Sequence, residues 1–383
     1  MLSWLLFWNG LSGRRILIAL SFISYVLAVM SKEHAVMAFS VFFPLYILHR
    51  GEWGGEGNVR EVILLLIGGA FIALLVALKV SYVIGNSYEP SAQRVLDGGS
   101  FYLRSFVTQA GLFFKYLLIW IVPNGGWMSV DMREPFETTP ISLRGWMWGG
   151  VFLLYPIVAG RLLFLGGVFG LVGFSFLVPW LLFLTEVATI RVQEIFVIYR
   201  SYLWVPSIFL VFSAGFLYLK NKVRLVLVVA LFSVLVLGSV NKLMSFSSPF
   251  FLWDEAADLA RGKESDRRFS GLERIYHNRG LSLAERGMYR QAEEDLTRAI
   301  SIYPGYANAL SDRGAVYLEL GQGGLALKDF DAALALDSKI TKAQLGRALA
   351  LELIGDAEAA KIAHERACGL GWERSCIRLD SIP

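Results

Sequence analysis

A 34-residue period constrains the C-terminal third of this chain more than any other feature. Three blocks of that length follow one another, at 271–304, 305–338 and 339–372. The matching positions are Gly280, Gly314 and Ala348; Leu283, Tyr317 and Leu351; Gly287, Gly321 and Gly355; Ala292, Ala326 and Ala360; and Ala299, Ala333 and Ala367. Small residues let two helices approach closely, and glycine permits the turn between them. The period therefore predicts stacked helical hairpins.

This pattern resembles the tetratricopeptide repeat (TPR) family. The resemblance predicts a domain at 271–383, made of the three repeats and a C-terminal tail, after a linker at 251–270. It implies a groove that holds a peptide or another subunit, and therefore a protein partner. Such repeats are not usually catalytic, so we interpret His277 and His364 as surface or packing residues rather than ligands.

Long apolar runs dominate the rest of the chain. The sequence is 55% hydrophobic and only 18% charged, whereas an ordinary soluble domain is about 25% charged. Since a membrane-spanning helix needs about 20 apolar residues, these runs predict a polytopic membrane domain at 1–250 with about seven spans. The predicted spans are Leu11–Met30, Ala35–Leu48, Val62–Ile84, Leu143–Ala159, Leu162–Leu184, Ile195–Tyr218 and Val223–Gly238. The predicted fold class is all-α, a transmembrane bundle followed by a soluble TPR solenoid.

Residues 31–34 separate the first two predicted spans with the sequence Ser-Lys-Glu-His. Either charge would be costly at the centre of a bilayer. We therefore favour the tip of a tight hairpin, and one long bent helix is the alternative.

An eighth apolar stretch, Phe101–Val122, decides the predicted topology. Its Arg104, Thr108 and Lys115 share one helical face, which indicates an interfacial or cavity-lining helix. If it does not span, the basic loops all lie on one side, as the positive-inside rule requires. The predicted location is then a bacterial inner membrane, with the repeats on the periplasmic side.

Net charge and cysteine spacing argue against two kinds of site, a nucleic-acid-binding surface and a zinc site. The net charge is only +4, and no basic block interleaves with aromatic residues, so a nucleic-acid partner is unsupported. Cys368 and Cys376 have the wrong spacing and too few partners for a zinc site. They are either a disulfide, which the periplasm permits, or two free thiols.

Charged residues at the predicted membrane boundaries are the candidates for chemistry. Lys32 and Glu33 lie at the hairpin tip, and Arg191, Glu194 and Arg200 lie where a later helix enters the membrane. Arginine suits forked recognition of phosphate oxygens. A lipid-linked phosphate is therefore a plausible ligand.

The strings Met30-Ser-Lys-Glu-His34 and Tyr199-Arg-Ser-Tyr-Leu-Trp-Val-Pro206, followed by the repeats, resemble the TPR-containing membrane O-mannosyltransferases of the GT-C glycosyltransferase superfamily. The stretch from Trp120 to Asp131 resembles that family's outer-face segment. The resemblance implies transfer of a sugar from a polyprenyl-phosphate donor to a protein or glycan hydroxyl on the outer face.

By this resemblance Lys32 and Arg200 would bind the donor phosphate, and Glu33 and Glu194 would orient them or the acceptor. Arg191, which belongs to the same charged cluster as Glu194 and Arg200, is a further candidate for binding that phosphate. The candidate catalytic carboxylates are Glu33, Asp131 and Glu194, because the transfer needs a general base. Positive charge or a divalent metal ion would stabilise the departing phosphate, although the sequence identifies no metal ligands.

One departure from the family pattern leaves three interpretations open. The catalytic acidic residue of GT-C enzymes follows their first membrane helix, and that loop is absent ahead of Ser31. The chain is an N-terminally shortened form, one half of a split enzyme, or no longer catalytic. The alternative function is a non-catalytic membrane scaffold whose repeats recruit a periplasmic partner. A transporter is a weaker third choice, since paired Gly/Pro-broken helices are lacking.

Overall fold

The computed structural model of the chain describes residues 1–31, 33–53, 59–83, 101–122, 127–137, 142–188, 196, 198–216, 218–266 and 268–379. Nearly all of the described residues are helical. They divide into two compact units. The first includes Met1–Tyr88, Leu96–Met128 and Glu134–Asn241, and the second includes Ser129–Arg133 and Lys242–Pro383.

The N-terminal two-thirds contains nine described α-helices and two 3-10 helices. The α-helices are α1 (Leu2–Gly10), α2 (Arg15–Ser31), α3 (Phe42–Trp53), α4 (Val59–Val83), α5 (Phe101–Ile121), α6 (Leu143–Leu165), α7 (Gly167–Val187), α8 (Val205–Phe216) and α9 (Asn221–Ser245). The 3-10 helices are Glu33–Val41 and Ile198–Trp204.

Four of these helices, α4, α6, α7 and α9, are long and apolar enough to cross a membrane, judged by length and composition among the described residues. The other three predicted spans contain shorter apolar helices. The first begins at Arg15 because the chain turns at Gly13, where φ is +101°. The other two are each divided into a 3-10 helix and an α-helix of 12 residues.

The chain reverses direction after α2. The Tyr25 hydroxyl donates to the Val36 carbonyl at 2.8 Å, and the rings of Tyr25 and Phe42 lie 6.4 Å apart. In one continuous helix these rings would be separated by about 25 Å. The contacts therefore exclude the long bent helix between these residues.

Helix α5 is packed on its apolar face by other helices of the first unit. The Phe113 ring is fully buried, 5.3 Å from the rings of Phe152 and Phe183 and 5.7 Å from that of Trp204. This helix is enclosed by protein rather than lying at an open interface, and it is not among the four long apolar helices.

The second unit contains three helical hairpins with helices on either side. The hairpins pair α11 (Leu272–Glu285) with α12 (Tyr289–Ile302), α13 (Ala307–Glu319) with α14 (Gly323–Leu336), and α15 (Thr341–Ile354) with α16 (Ala357–Gly369). Helix α10 (Pro249–Ala260) precedes them and α17 (Glu373–Leu379) follows.

Helix α10 occupies part of the segment expected to be a linker. The Ser248 side chain caps it by accepting from the Phe250 amide, and Pro249 stands at its start, where a missing amide hydrogen costs nothing. Its Ala256, Ala257 and Ala260 are buried in the core of the first repeat. The linker expectation missed this because three alanines give a weak apolar signal.

The repeat positions read from the sequence form the core. All six alanines at the matching positions in α12, α14 and α16 have no exposed surface. A Cβ atom at Gly280 would lie 3.0 Å from Leu296, and one at Gly314 would lie 3.0 Å from Phe330. The turn glycines Gly287, Gly321 and Gly355 have φ between +72° and +84°, a region that favours glycine.

Candidate functional site

The first helices of the three hairpins are joined by one polar network. His277 Nε2 lies 2.7 Å from Asp312 Oδ2, and Lys342 Nζ donates to Asp312 Oδ1 at 2.7 Å. The Tyr306 hydroxyl lies 3.2 Å from His277 Nδ1. His277 and Asp312 are buried, whereas the Lys342 side chain is 48% exposed. The network therefore runs across all three repeats and reaches the surface at Lys342.

The charge of Asp312 is stabilised by its partners. Burial by itself raises the pKa of this carboxyl group, but hydrogen bonds from His277 and Lys342 outweigh it, and the pKa lies below the usual 3.8. Asp312 is therefore ionised at neutral pH and offsets the charge of Lys342 at the middle of this surface.

A second set of contacts ties the two helices of each hairpin together. Arg279 donates to both carboxylate oxygens of Asp295, at 2.6 and 2.8 Å. Arg313 makes the same forked contact with Asp329, at 2.7 and 2.9 Å. These hydrogen bonds raise the pKa of both arginines. The two pairs occupy matching positions of successive repeats, so the ion pair is part of the repeat.

The third repeat breaks this pattern. Ala363 stands where the earlier repeats have aspartate, and Arg347 instead contacts Asp331 of the preceding repeat at 2.6 Å. His364 takes the core position of Leu296 and Phe330 and is 1% exposed. The third hairpin therefore lacks the internal ion pair of the other two and has a histidine in place of an apolar core residue.

Asp131, one of the candidate catalytic carboxylates, lies in an arginine cluster of the second unit. Its Oδ2 accepts from Arg133 at 2.9 Å and from Arg274 at 2.8 and 3.2 Å, and its Oδ1 lies 2.6 Å from Arg133 Nε. The side chain is 4% exposed. Both carboxylate oxygens thus face guanidinium groups.

The other candidates are described only in part. Lys32, Arg191 and Glu194 lie outside the described residues. Glu33 begins the first 3-10 helix, and Arg200 lies in the second; only the backbone of these two is described. Their predicted roles stay predictions.

The polar face of α5 is covered by residues 134–137. Lys115 is ion-paired with Glu134, and the Arg104 guanidinium donates to the Glu137 carbonyl at 2.9 Å. The Glu137 amide donates to the Thr108 hydroxyl at 3.0 Å. Arg104 is 2% exposed. Residues 134–137 therefore close this face of the helix over the side chains expected to line an interface or a cavity.

The two cysteines are joined in this structure. Cys368 in α16 and Cys376 in α17 form a disulfide with a Cα–Cα distance of 4.9 Å. In the described part of the chain, no group of three or more His, Cys, Asp or Glu residues is arranged to hold a metal ion.

Sequence reasoning missed the charged residues that organise the second unit. The comparison of repeats followed small and apolar positions, whereas Arg279, Arg313 and Arg347 also recur once in every repeat. Asp295 and Asp329 recur at one position of the first two repeats, and Ala363 replaces them in the third. Aligning charged positions would have revealed the ion pairs. No sequence signal connects Asp131 with Arg274, because they are 143 residues apart.

Two sequence relatives share the repeats. The outer dynein arm-docking complex subunit 4 of Xenopus laevis is 32% identical over 104 residues, which cover 27% of this chain and 20% of that protein. Tetratricopeptide repeat protein 36 of Danio rerio is 34% identical over 98 residues, 24% of this chain and 52% of that protein. The second unit has the tetratricopeptide repeat fold. Its helical hairpins and their regular period agree with that relationship.

A solved TPR structure also aligns with part of this chain. The second TPR domain of human RPAP3, solved in complex with an HSP70 peptide, is 27% identical and aligns with 29% of this chain and 97% of its own, with a TM-score of 0.27. No protein-family model matches the chain. The chain spans about a fifth of the first relative and about half of the second.

Proposed function

We propose that this chain is a membrane-anchored scaffold whose repeats bind a protein partner across α11, α13 and α15. The observation that carries the proposal is the network of His277, Asp312 and Lys342, one residue from each of these helices. It fixes the three helices relative to one another and presents a half-exposed lysine. Such a preorganised surface lowers the entropic cost of binding.

The relatives support a binding role. One is named as a subunit of a docking complex, and the human TPR domain was solved with a peptide bound. Neither name identifies the partner of this chain. The partner class we propose is a protein segment.

Membrane anchoring is proposed from the first unit. Four described helices are long and apolar enough to span, and we propose that the shorter apolar helices complete a bundle of about seven spans. The same proposal places the chain in a bacterial inner membrane with the repeats on the periplasmic side. It rests on the distribution of basic loops and is compatible with the disulfide.

Site-specific photo-crosslinking tests the scaffold function. A photo-reactive residue replaces Asn308, which is exposed on α13, or, as the control, Lys361, which is exposed on α16. We expect a crosslinked protein from position 308 only, and we expect Lys342→Glu to abolish it. Equal crosslinking from both positions, or a product unaffected by Lys342→Glu, would contradict binding on this surface.

Sugar transfer is the second candidate function, and it rests on the resemblance of the Ser31–His34 and Tyr199–Pro206 segments to the O-mannosyltransferases. Its test is the mass of co-expressed surface proteins in cells carrying this chain. A sugar-sized gain that Lys32→Ala and Arg200→Ala both remove would establish a transferase that depends on the two residues proposed to bind the donor phosphate. No gain, with position 308 still crosslinking, would leave the scaffold.

A separate experiment tests on which side of the membrane the repeats lie. Asp254 is a poor place for a reporter cysteine because it accepts from Arg279 at 3.0 Å, so we choose Asp258, whose side chain is 60% exposed. Cys368 and Cys376 are replaced by serine first. Labelling of Asp258→Cys by an impermeant thiol reagent in intact spheroplasts is the expected result. Labelling only after lysis would place the repeats inside the cell.

A further inference from the structure

Three consecutive buried residues occur in a segment that is not helical. Asp131, Met132 and Arg133 are each only 5–6% exposed, although segments without helix or strand usually run over the surface. They belong to the described segment Ser129–Arg133 of the second unit, and the other described residues of that unit begin at Lys242. A short segment from a distant part of the sequence is therefore built into the repeat unit.

The contacts of this segment are specific and come from both side chain and backbone. The Arg133 guanidinium donates to the Ser270 carbonyl at 3.0 Å, and Lys263 Nζ donates to the Arg133 carbonyl at 3.3 Å. Arg274 donates twice to one oxygen of Asp131. Among the described residues, Arg133, Lys263 and Arg274 thus gather around this segment, and Asp131 is the carboxylate that accepts from both arginines.

The first repeat is shaped for this segment in a way that the others are not. Gly271 has φ of +77°, and a Cβ atom there would lie 1.9 Å from Arg133 Nη1. The second repeat also has a glycine at this position, Gly305, but its φ is not positive, and the corresponding residue of the third repeat is Lys339. Arg274 corresponds to Asn308 and Lys342, which are both exposed, whereas Arg274 is 25% exposed and faces Asp131.

We propose that the N-terminal end of the first repeat is a peptide-binding site for an Asp-x-Arg segment, and that residues 129–133 of the same chain are its resident ligand. Arg274 binds the aspartate, the Ser270 carbonyl binds the arginine, and Gly271 leaves the space for the guanidinium. This site lies at the α11 end of the proposed partner surface, because Arg274 matches Asn308 and Lys342, but its contacts with Asp131 and Arg133 do not involve Lys342.

Two glycine variants of the full chain test whether the segment is held in this way. Gly271→Ala puts a methyl group where the Arg133 guanidinium lies. Gly287→Ala imposes similar backbone strain, with φ of +74°, but a Cβ atom there meets nothing within 4 Å. We expect Gly271→Ala to raise the hydrogen-exchange rates of the amides of residues 129–133 at least tenfold, and we expect Gly287→Ala to leave these rates unchanged. Equal exchange in the two variants would overturn the proposal.

Rebinding of the segment from solution tests whether the site is a true peptide site. The full chain carrying Asp131→Asn and Arg133→Gln is mixed with a synthetic peptide of residues 127–137, or with the same peptide carrying Asp131→Asn. We expect the native peptide alone to slow exchange of residues 270–276 at least threefold. The amides of α13 show that the variant remains folded. Slowing by both peptides, or by neither, would refute a specific Asp-x-Arg site.

Discussion

The two units place their apolar residues in opposite positions. In the repeat unit, the matching alanines and Phe330 face the interior. In the first unit, α9 has none of its apolar window buried, and even α7, the best packed of the four long apolar helices, has only 44% buried. Large exposed apolar surfaces of this kind mark sites where a protein contacts a membrane or another protein. The repeat unit buries its apolar core residues within itself, whereas the first unit leaves many apolar side chains exposed, which is the surface that the proposed membrane anchoring would cover.

The helix pair α6 and α7 of the first unit and the first hairpin of the repeats are brought together by different means. A Cβ atom at Gly173 on α7 would lie 2.3 Å from the Leu163 amide nitrogen and 2.5 Å from the Ala159 carbonyl oxygen, both in the backbone of α6. At Gly280 in the first repeat, the nearest atom is a side-chain carbon of Leu296. Close backbone approach at small residues is typical of helices in membranes, where apolar side chains gain little by leaving lipid.

Removing one phenylalanine from each unit is expected to give the largest difference. Phe330→Ala removes a ring that is 1% exposed and should lower the free energy of local unfolding of α14 by about 3–5 kcal/mol. Phe232→Ala removes a ring on α9 that is 67% exposed, so it should change the free energy of local unfolding of α9 by about 0.5 kcal/mol at most. Hydrogen exchange of the full chain in detergent measures both. Similar losses would break the comparison of the two units.

Charge removal within the repeats is expected to have the next largest effect. Asp329→Asn leaves the Arg313 guanidinium, which is 16% exposed, without its carboxylate and should cost about 3 kcal/mol. Asp331→Asn removes the partner of Arg347, but that carboxylate is 50% exposed, so the loss should be below about 1 kcal/mol.

Thermal unfolding followed by circular dichroism, with hydrogen exchange to assign the change to the repeats, measures this pair. A loss at Asp331 as large as that at Asp329 would mean that the third repeat depends on its inter-repeat contact as much as the second depends on its internal ion pair.

The sequence predicted the repeat unit more completely than the first unit, for a physical reason. Equivalent positions of a sequence repeat pack in the same way, so the burial of Ala292, Ala326 and Ala360 could be predicted from their spacing. An apolar run indicates only that a segment avoids water. The apolar runs could not show that two of them would break into a 3-10 helix and a short α-helix, nor that α5 would be enclosed by protein.

The contacts of the candidate site could be predicted from the sequence only where their residues recur at the repeat period. Charges that recur at the repeat period lead to the pairs of Arg279 and Arg313, but the cluster at Asp131 joins residues that no local pattern relates. The residues taken from the resemblance are untested by the structure, because the side chains of Lys32, Arg191, Glu194 and Arg200 lie outside what it describes.

Glycine substitutions sharpen the difference in helix approach. Gly173→Ala places a methyl group against backbone atoms that cannot turn aside, and we expect a loss of about 2–3 kcal/mol with separation of α6 and α7. Gly160→Ala on α6 meets nothing within 4 Å and is the control. Gly314→Ala meets only the ring of Phe330, and the third repeat already has Ala348 at this position, so its loss should be below about 1 kcal/mol.

The thermal midpoint of the detergent-solubilised chain ranks these three variants. If Gly314→Ala costs as much as Gly173→Ala, then the repeats are held by backbone approach as well, and the contrast between the units disappears.

The smallest expected effect concerns pH and tests the polar network of the repeats, which has Asp312 at its centre. The pKa of Asp312 in the folded chain lies below its usual value, despite burial, because His277 and Lys342 donate to it. Its stabilisation is therefore complete above about pH 4, the usual pKa of aspartate in an unfolded chain, and is lost as the pH falls through the folded pKa. Asp312→Asn should remove about 1 kcal/mol of stability at pH 7 and flatten the acid dependence of exchange in α13. If Asp312→Asn loses stability at pH 7 but hydrogen exchange in α13 depends on pH as it does in the unmodified chain, then other carboxylates cause that dependence. The network would then hold the three helices together without making their stability sensitive to acid.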